Sequence, residues 1–518
     1  MNQKSGIHLG TSASDAIFAI LVTIVNITLR LPMALQVQAP LNDGGLFYQM
    51  ILDLQANHFL LPLFTTYNNA YIPFAYPPFG LYFAGLISSL FHIDVLTLAR
   101  FLPSIINALS APAFYFLARS ILGPKRETAF SATLVFILTP RGFIWQIMGG
   151  GLTRAFGLLF ALLTLRAAYE LYTKHNNNLL IPLVCFGTLT VLSHPEAATH
   201  TVIAALIFYF LLDRSVQGAL LSIQAASAIL LLSAPWWATV IAHHGIDPFL
   251  AIISAAREGT SVTFGGRVFL TFQFNFTGEP FLPLIAVLGL IGLFTLLAQR
   301  KFLIPLWVTV PLFLEPRSAP QFMVIPLAIL AGIGLTEILL PALATLTPDH
   351  PHWSKQISSI VVIYFFLYTI LSAYIAESQV INITLKPEEF QAFQWIKNNT
   401  SQDSRFAILT NGGPVYDSIA EWFPALTKRT SVDTVFGTEW LRNESFRKNS
   451  MRYGDLQACL SRDESCIEAW AHQYNLSFSF ILILKQDIVY PLITNLETSP
   501  NYKQVYDSKT IIVFERKP

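Results

Sequence analysis

The residue best placed for chemistry in this chain is Asp43, which follows an apolar helix and precedes Gly44–Gly45. A turn there would present its carboxylate at the lip of the helix. Such a carboxylate serves either as a general base or as the N-cap of the next helix, and local spacing alone favours the cap. Asp53, inside YQMILDLQANHF, reads as a helix-face or lid contact rather than a second acid. Arg317 sits in the short turn EPRSAPQF. It is either a snorkelling anchor or a cation for a phosphate, whose geometry a guanidinium fork matches. Arg257 and Arg267, in the Gly/Ser/Thr-rich stretch AREGTSVTFGGR, admit the same two roles. Arg141 and Arg154 flank the Gly149–Gly151 turn, and His194 and Glu196 stand in SHPEA. A histidine and an acid two residues apart do not make a metal site. With Tyr76, these complete the candidate substrate-binding set. No Walker loop, GxSxG or HExxH is present, and NDGG is not a DxD motif.

These residues must be held by membrane helices. The 518 residues are 53% hydrophobic and only 12% charged, against about 25% charged in soluble domains. The mean hydropathy is +0.52. A net charge of +1 argues against nucleic acid as a partner. Apolar runs at 15–34, 95–121, 128–147, 152–173, 179–193, 197–213, 217–241, 280–298, 302–316, 320–340 and 357–377 predict about eleven spans. The first lacks a small-residue cleavage pattern and reads as an uncleaved helix.

Charge orients the spans. With the N-terminus inside, GPKRET (123–128), KHNNN (174–178), DRS (213–215), QRK (299–301) and the segment ending at Lys355 are cytoplasmic, and each carries Lys or Arg. The outer connections 35–94, 148–151, 194–196, 242–279 and 317–319 hold only Arg257, Arg267 and Arg317. That asymmetry predicts a multi-pass plasma-membrane protein with its C-terminus outside. No Lys or Arg occurs from Leu31 to Ala99, which makes 35–94 a long outer loop. The run Pro77–Phe91 is short for a span and would break the alternation, so it reads as an interfacial or re-entrant helix closing that loop. Loop 242–279 reads as a mobile loop over the same face. The arginines Arg30, Arg100, Arg141 and Arg154, at outer helix ends, are expected to face the bundle interior or a wet cavity.

Residues 380–518 hold 15 Lys+Arg and 16 Asp+Glu, 31 of the 63 charges, which divides the chain into a membrane body (1–379) and a soluble tail (380–518). The tail reads as α/β: PEEFQAFQWIKNNT has helical spacing, and RFAILT, FSFILIL and TIIVFER read as strands. Outside the cytoplasm, Cys459 and Cys466 could pair as a disulfide. Cys185, in an apolar run, is expected to be a packing residue.

A first helix, a long outer loop with an early acid, then YN…PFAYPPFGLY and a span ending at a basic turn together resemble the GT-C glycosyltransferases. The likeness is to their polyprenyl-phosphate-sugar branch, which includes protein O-mannosyltransferases and aminoarabinose transferases. It covers roughly residues 15–340, and its specific part is the first hundred. The family's catalytic acid matches Asp43, and Gly44 stands where a second acid often does. A requirement for a divalent metal therefore stays open. The resemblance implies inverting transfer from a polyprenyl-phosphate sugar to a protein, lipid or glycan acceptor on the extracytoplasmic side, with Asp43 as base. A transporter or lipid flippase, or a non-catalytic envelope scaffold, are the other readings. Against transport, no internal repeat is visible.

Overall fold

The computed structural model describes residues 11–258, 274–345, 351–441 and 446–517. The membrane body opens with α1 (Thr11–Gln36), followed by a loop carrying α2 (Gly44–Ala56), a short hairpin of β1 (Phe64–Thr65) and β2 (Ile72–Pro73), and α3 (Phe79–Phe91). Helices α4 (Val95–Leu122), α5 (Arg126–Leu138), α6 (Pro140–Ile147), α7 (Gly151–Lys174), α8 (Leu180–Ser193), α9 (Pro195–Phe208), α10 (Val216–His244) and α11 (Asp247–Glu258) come next. After the second loop come α12 (Leu284–Ala298), α13 (Leu303–Leu314), α14 (Val324–Ile333) and α15 (Pro351–Asn382).

Among the described residues, seven helices are long and apolar enough to cross a bilayer. The other expected spans differ from the sequence reading. The run 128–147 is α5 and α6, bent by 50° where Pro140 starts a new helix. The runs 280–298 and 302–316 are α12 and α13, folded at 117°. The run 179–193 is the 14-residue α8, about 21 Å long and short of the roughly 30 Å hydrocarbon core. Counting each bent pair as one span gives up to nine by length and composition among the described residues.

The bundle has two distinguishable faces. At one, Asp15 near the start of α1 accepts from Arg126 at 2.7 Å, and Lys125 meets Glu337 at 2.6 Å. At the other, Arg100 near the start of α4 donates to Ala34 O at the end of α1 (3.3 Å). Close helix approach uses small residues: a Cβ on Gly292 of α12 would lie 2.0 Å from the Leu330 carbonyl oxygen of α14. Cys185 is exposed on the outward side of α8, so it is not a packing residue.

One ion pair is wholly internal. Arg30 of α1 is 0% exposed, donates to Glu377 of α15 at 2.6 Å and lies 3.3 Å above the Phe143 ring. Removing one partner leaves a buried charge alone. Arg30→Met should therefore cost about 3–5 kcal/mol, read as a lower unfolding midpoint. Arg30→Met/Glu377→Leu should recover most of it, and an unchanged midpoint in Arg30→Met would refute the account.

The tail is a five-stranded sheet ordered β4-β3-β5-β7-β6, where β3 (Arg405–Leu409) runs parallel to β4 (Thr430–Ser431) and β5 (Phe480–Leu484). Strand β7 (Ile511–Arg516) extends it antiparallel to β5, and the edge strand β6 (Tyr502–Asp507) pairs antiparallel to β7. Helix α16 (Pro387–Asn399) leads in, α17 (Ser418–Thr427) crosses from β3 to β4, and α18 (Phe446–Gln457) follows. Beyond α18, Cys459 and Cys466 are joined as a disulfide. Helix α17 packs on α2 of the first loop, so the two parts share one apolar core around Phe47, Met50, Trp422 and Phe423.

Candidate active site

Asp43 sits on a loop gripped from two sides. Asn42 and Asp43 both adopt left-handed backbone, φ 72° and 70°, a conformation that Asn and Asp tolerate better than other side-chain-bearing residues. From the membrane body, Gly149 N–H donates to Leu41 O (2.8 Å) and Gly150 N–H to Asn42 O (2.6 Å). From the tail, Glu421 accepts from Asn42 N–H (2.7 Å) and Gly45 N–H (3.1 Å), and Trp422 Nε1 donates to Pro40 O (3.0 Å). The two glycine loops touch backbone to backbone: a Cβ on Gly149 would lie 2.4 Å from Gly44 Cα. Burial and the nearby Asp43 push the Glu421 carboxyl well above its usual range.

Asp43 stands at the N-cap of α2, yet its side chain makes no capping bond. Its Oδ2 instead accepts from Arg154 Nη2 at 2.5 Å, and the same nitrogen donates to Asn42 Oδ1 at 2.7 Å. Arg154 Nη1 is buried with no hydrogen-bond partner among the described residues, and the guanidinium lies 5.0 Å from the Trp145 ring. Asp53 is spent locally, accepting from Gln49, Thr65 and Thr66 within the first loop.

The free side of Asp43 faces a cavity of about 380 Å³, shared with Tyr76, Arg154, His194, Glu196 and Arg317. Arg317 is 43% exposed and stands 3.8 Å from Glu196 Oε1. His194 caps α9, its Nδ1 accepting from Ala197 N–H at 3.4 Å. Burial, with the Arg154 and Arg317 cations, holds His194 neutral, well below the usual histidine range. Tyr76 packs edge-on against Phe47 (4.7 Å) and Trp440 (5.6 Å), and burial raises its phenol. Ile252 and Ile253 of α11 close another wall, so part of the loop expected to be mobile is a helix.

Of the residues singled out from sequence, six converge here. Arg141 does not: it lies on α6 outside the cavity lining, one helical turn from Trp145. The Arg257 side chain and Arg267 lie outside the described residues. Glu315, Glu439 and Trp440 also line the cavity and were not anticipated. Glu315 is already committed, accepting from His200 (3.0 Å) and Ser318 (2.5 Å). Glu439, brought in by the tail, has no ion-pair partner among the described residues. No three His, Cys, Asp or Glu side chains among the described residues converge as a metal site.

Burial and the Asp43 carboxylate push the Glu439 carboxyl up from an ordinary 4.5 to about 7. Between those values the folded chain holds a proton that the unfolded chain has lost, so this group's contribution to stability falls as pH rises and levels off above about 7. Asp433 and Glu389 are also raised to about 7, so the comparison must be a difference. The stability of Glu439→Gln relative to wild type should increase with pH across that window and then stay flat. A pH-independent difference would refute it.

Neither a protein-family model nor a curated protein sequence matches the chain. Solved structures share its fold. The archaeal oligosaccharyltransferase AglB from Archaeoglobus fulgidus, in complex with an inhibitory peptide and a dolichol-phosphate, matches with TM-score 0.55 at 13% identity, over 91% of this chain and 69% of that one. ArnT from Cupriavidus metallidurans, bound to undecaprenyl phosphate, matches with TM-score 0.51 at 11% identity, over 96% and 97%. The arabinofuranosyltransferase AftD from Mycobacteria matches with TM-score 0.57 at 11% identity, over 96% of this chain but only 40% of its own length.

Proposed function

We propose, on the premise that the chain has the GT-C fold of these proteins, that it is a membrane glycosyltransferase moving a sugar from a polyprenyl-phosphate donor to an acceptor. The observation that carries the reading is one cavity with Asp43 on one wall and Arg317 on another. Arg154 fixes the position of the Asp43 carboxylate at 2.5 Å, and a general base must be held in place. In the reaction, the acceptor hydroxyl gives its proton to Asp43 as its oxygen attacks the anomeric carbon. The bond from that carbon to the phosphate oxygen breaks on the opposite face, so configuration inverts. The departing polyprenyl phosphate gains negative charge, which Arg317 meets. The cavity lies between the bundle and the tail, so the donor lipid enters from the bilayer while the acceptor comes from water. The face is extracytoplasmic, by the charge asymmetry of the loops. The acceptor is a protein, lipid or glycan; AglB's inhibitory peptide is the peptide precedent in this fold.

The test is release of free polyprenyl phosphate by the full chain in lipid nanodiscs, supplied with hexosyl and pentosyl polyprenyl-phosphate donors. Wild type should release it, and Arg317→Ala should be slower by about 10²–10³-fold, the cost of losing one group that stabilises developing charge. Binding of polyprenyl phosphate without any sugar turnover would favour a flippase instead. Equal rates for Arg317→Ala and wild type would remove its role.

A further inference from the structure

The face opposite the Asp43 cavity holds a second large cavity, of about 470 Å³. It opens at the turn between α12 and α13, the pair folded at 117°. Lys125, Arg300 and Lys301 line it, against apolar walls from Leu212, Phe302 and Ile304, and among the described residues no acidic one does. Lys125 is neutralised by Glu337 at 2.6 Å. Arg300 and Lys301 have no carboxylate partner among the described residues.

The backbone adds a second observation. Arg300 adopts φ 56°. Its N–H donates to Leu297 O and the Lys301 N–H to Leu296 O, both at 2.9 Å. That is the helix ending which glycine ordinarily closes, because a side chain is strained in left-handed backbone. This ending fixes the Arg300 backbone at the cleft mouth, and its guanidinium has no carboxylate partner among the described residues. Helix α13 begins in the same cleft, and its N-cap residue Phe302 supplies no side-chain acceptor. The positive end of the helix therefore adds to the two cations. Outside the cleft, Leu297 (37% exposed) and Phe294 (60%) continue an apolar track along α12.

We propose that this cleft holds the phosphate headgroup of an anionic phospholipid from the adjoining leaflet, gripped by Arg300 and Lys301, with its acyl chains on the apolar track of α12. Arg300 and Lys301, with no carboxylate partner among the described residues, select for negative charge, and the apolar walls select a lipid over a soluble phosphate. The assignment does not depend on sugar transfer.

The full chain in detergent, supplied with equal moles of phosphatidylglycerol and phosphatidylcholine, would be weighed with its bound lipids by native mass spectrometry. Wild type should retain phosphatidylglycerol preferentially. Arg300→Gly or Lys301→Gln should each lower that retention about fivefold, and the double variant about thirtyfold. Lys355→Gln, which removes an exposed cation outside this cleft, should leave it unchanged. The melting point of Arg300→Gly should match or exceed wild type, because glycine relieves the left-handed strain, which separates lost binding from lost folding. Equal retention of the two lipids by wild type, or wild-type retention by the double variant, overturns the proposal. Complete displacement by millimolar inorganic phosphate would overturn the lipid assignment.

Discussion

Asp43→Asn is expected to lower sugar transfer by about 10²–10⁴-fold, the usual contribution of a general base, while binding of polyprenyl phosphate persists. The substitution is close to isosteric, and asparagine accepts the left-handed backbone that Asp43 adopts. It also removes the anion facing Arg154, whose remaining partner is Asn42 Oδ1 at 2.7 Å. Donor binding and melting must therefore be measured beside the rate. A variant that folds and binds lipid but does not transfer identifies Asp43 as the base. Wild-type turnover would eliminate it, and a loss of lipid binding would make Asp43 a structural partner of Arg154.

Glu421→Ala should be nearly as damaging, by a different route. Glu421 is fully buried and accepts the amides of Asn42 and Gly45. Alanine would orphan both donors, each costing about 1–3 kcal/mol, so about 2–6 kcal/mol in all. The loss falls on the contact between α17 and the Asp43 loop. Limited proteolysis should then release the tail sooner, and transfer should fall because the base is no longer held in register. Glu421→Gln keeps one acceptor oxygen but turns an NH₂ towards the second amide, so it should be intermediate. Wild-type proteolysis and rate in Glu421→Ala would refute the clamp.

The parts of this site written into neighbouring residues were legible in the sequence. The Lys/Arg-free loop after α1 carries Asp43, and the short turn after α13 carries Arg317; both line one cavity. Local spacing favoured a helix cap for Asp43, and the structure instead gives its carboxylate to Arg154. Glu421 and Glu439 could not be read, because neither has a local pattern and each meets the Asp43 loop only after nearly 400 residues of intervening chain. The Arg30–Glu377 pair was hidden for the same reason, although Arg30 was recognised as facing inward. Apolar runs located the helices and the turn between α12 and α13 at 299–301, but were blind to the break at Pro140. The paired Cys459 and Cys466 realise one of two outcomes that their spacing left open.

The double grip on the Asp43 loop has a consequence for biosynthesis. The acid emerges from the ribosome early, but Glu421, Trp422 and Glu439 are made about 380–400 residues later. At ordinary elongation rates of 5–20 residues per second that interval is about 20–80 s. Through it, a nascent chain already threaded into the bilayer carries Asp43 on a loop with only one of its two supports. On the proposed function, a chain cut before Glu421 is expected to transfer no sugar, so the tail acts as a condition for activity rather than an appendage to it.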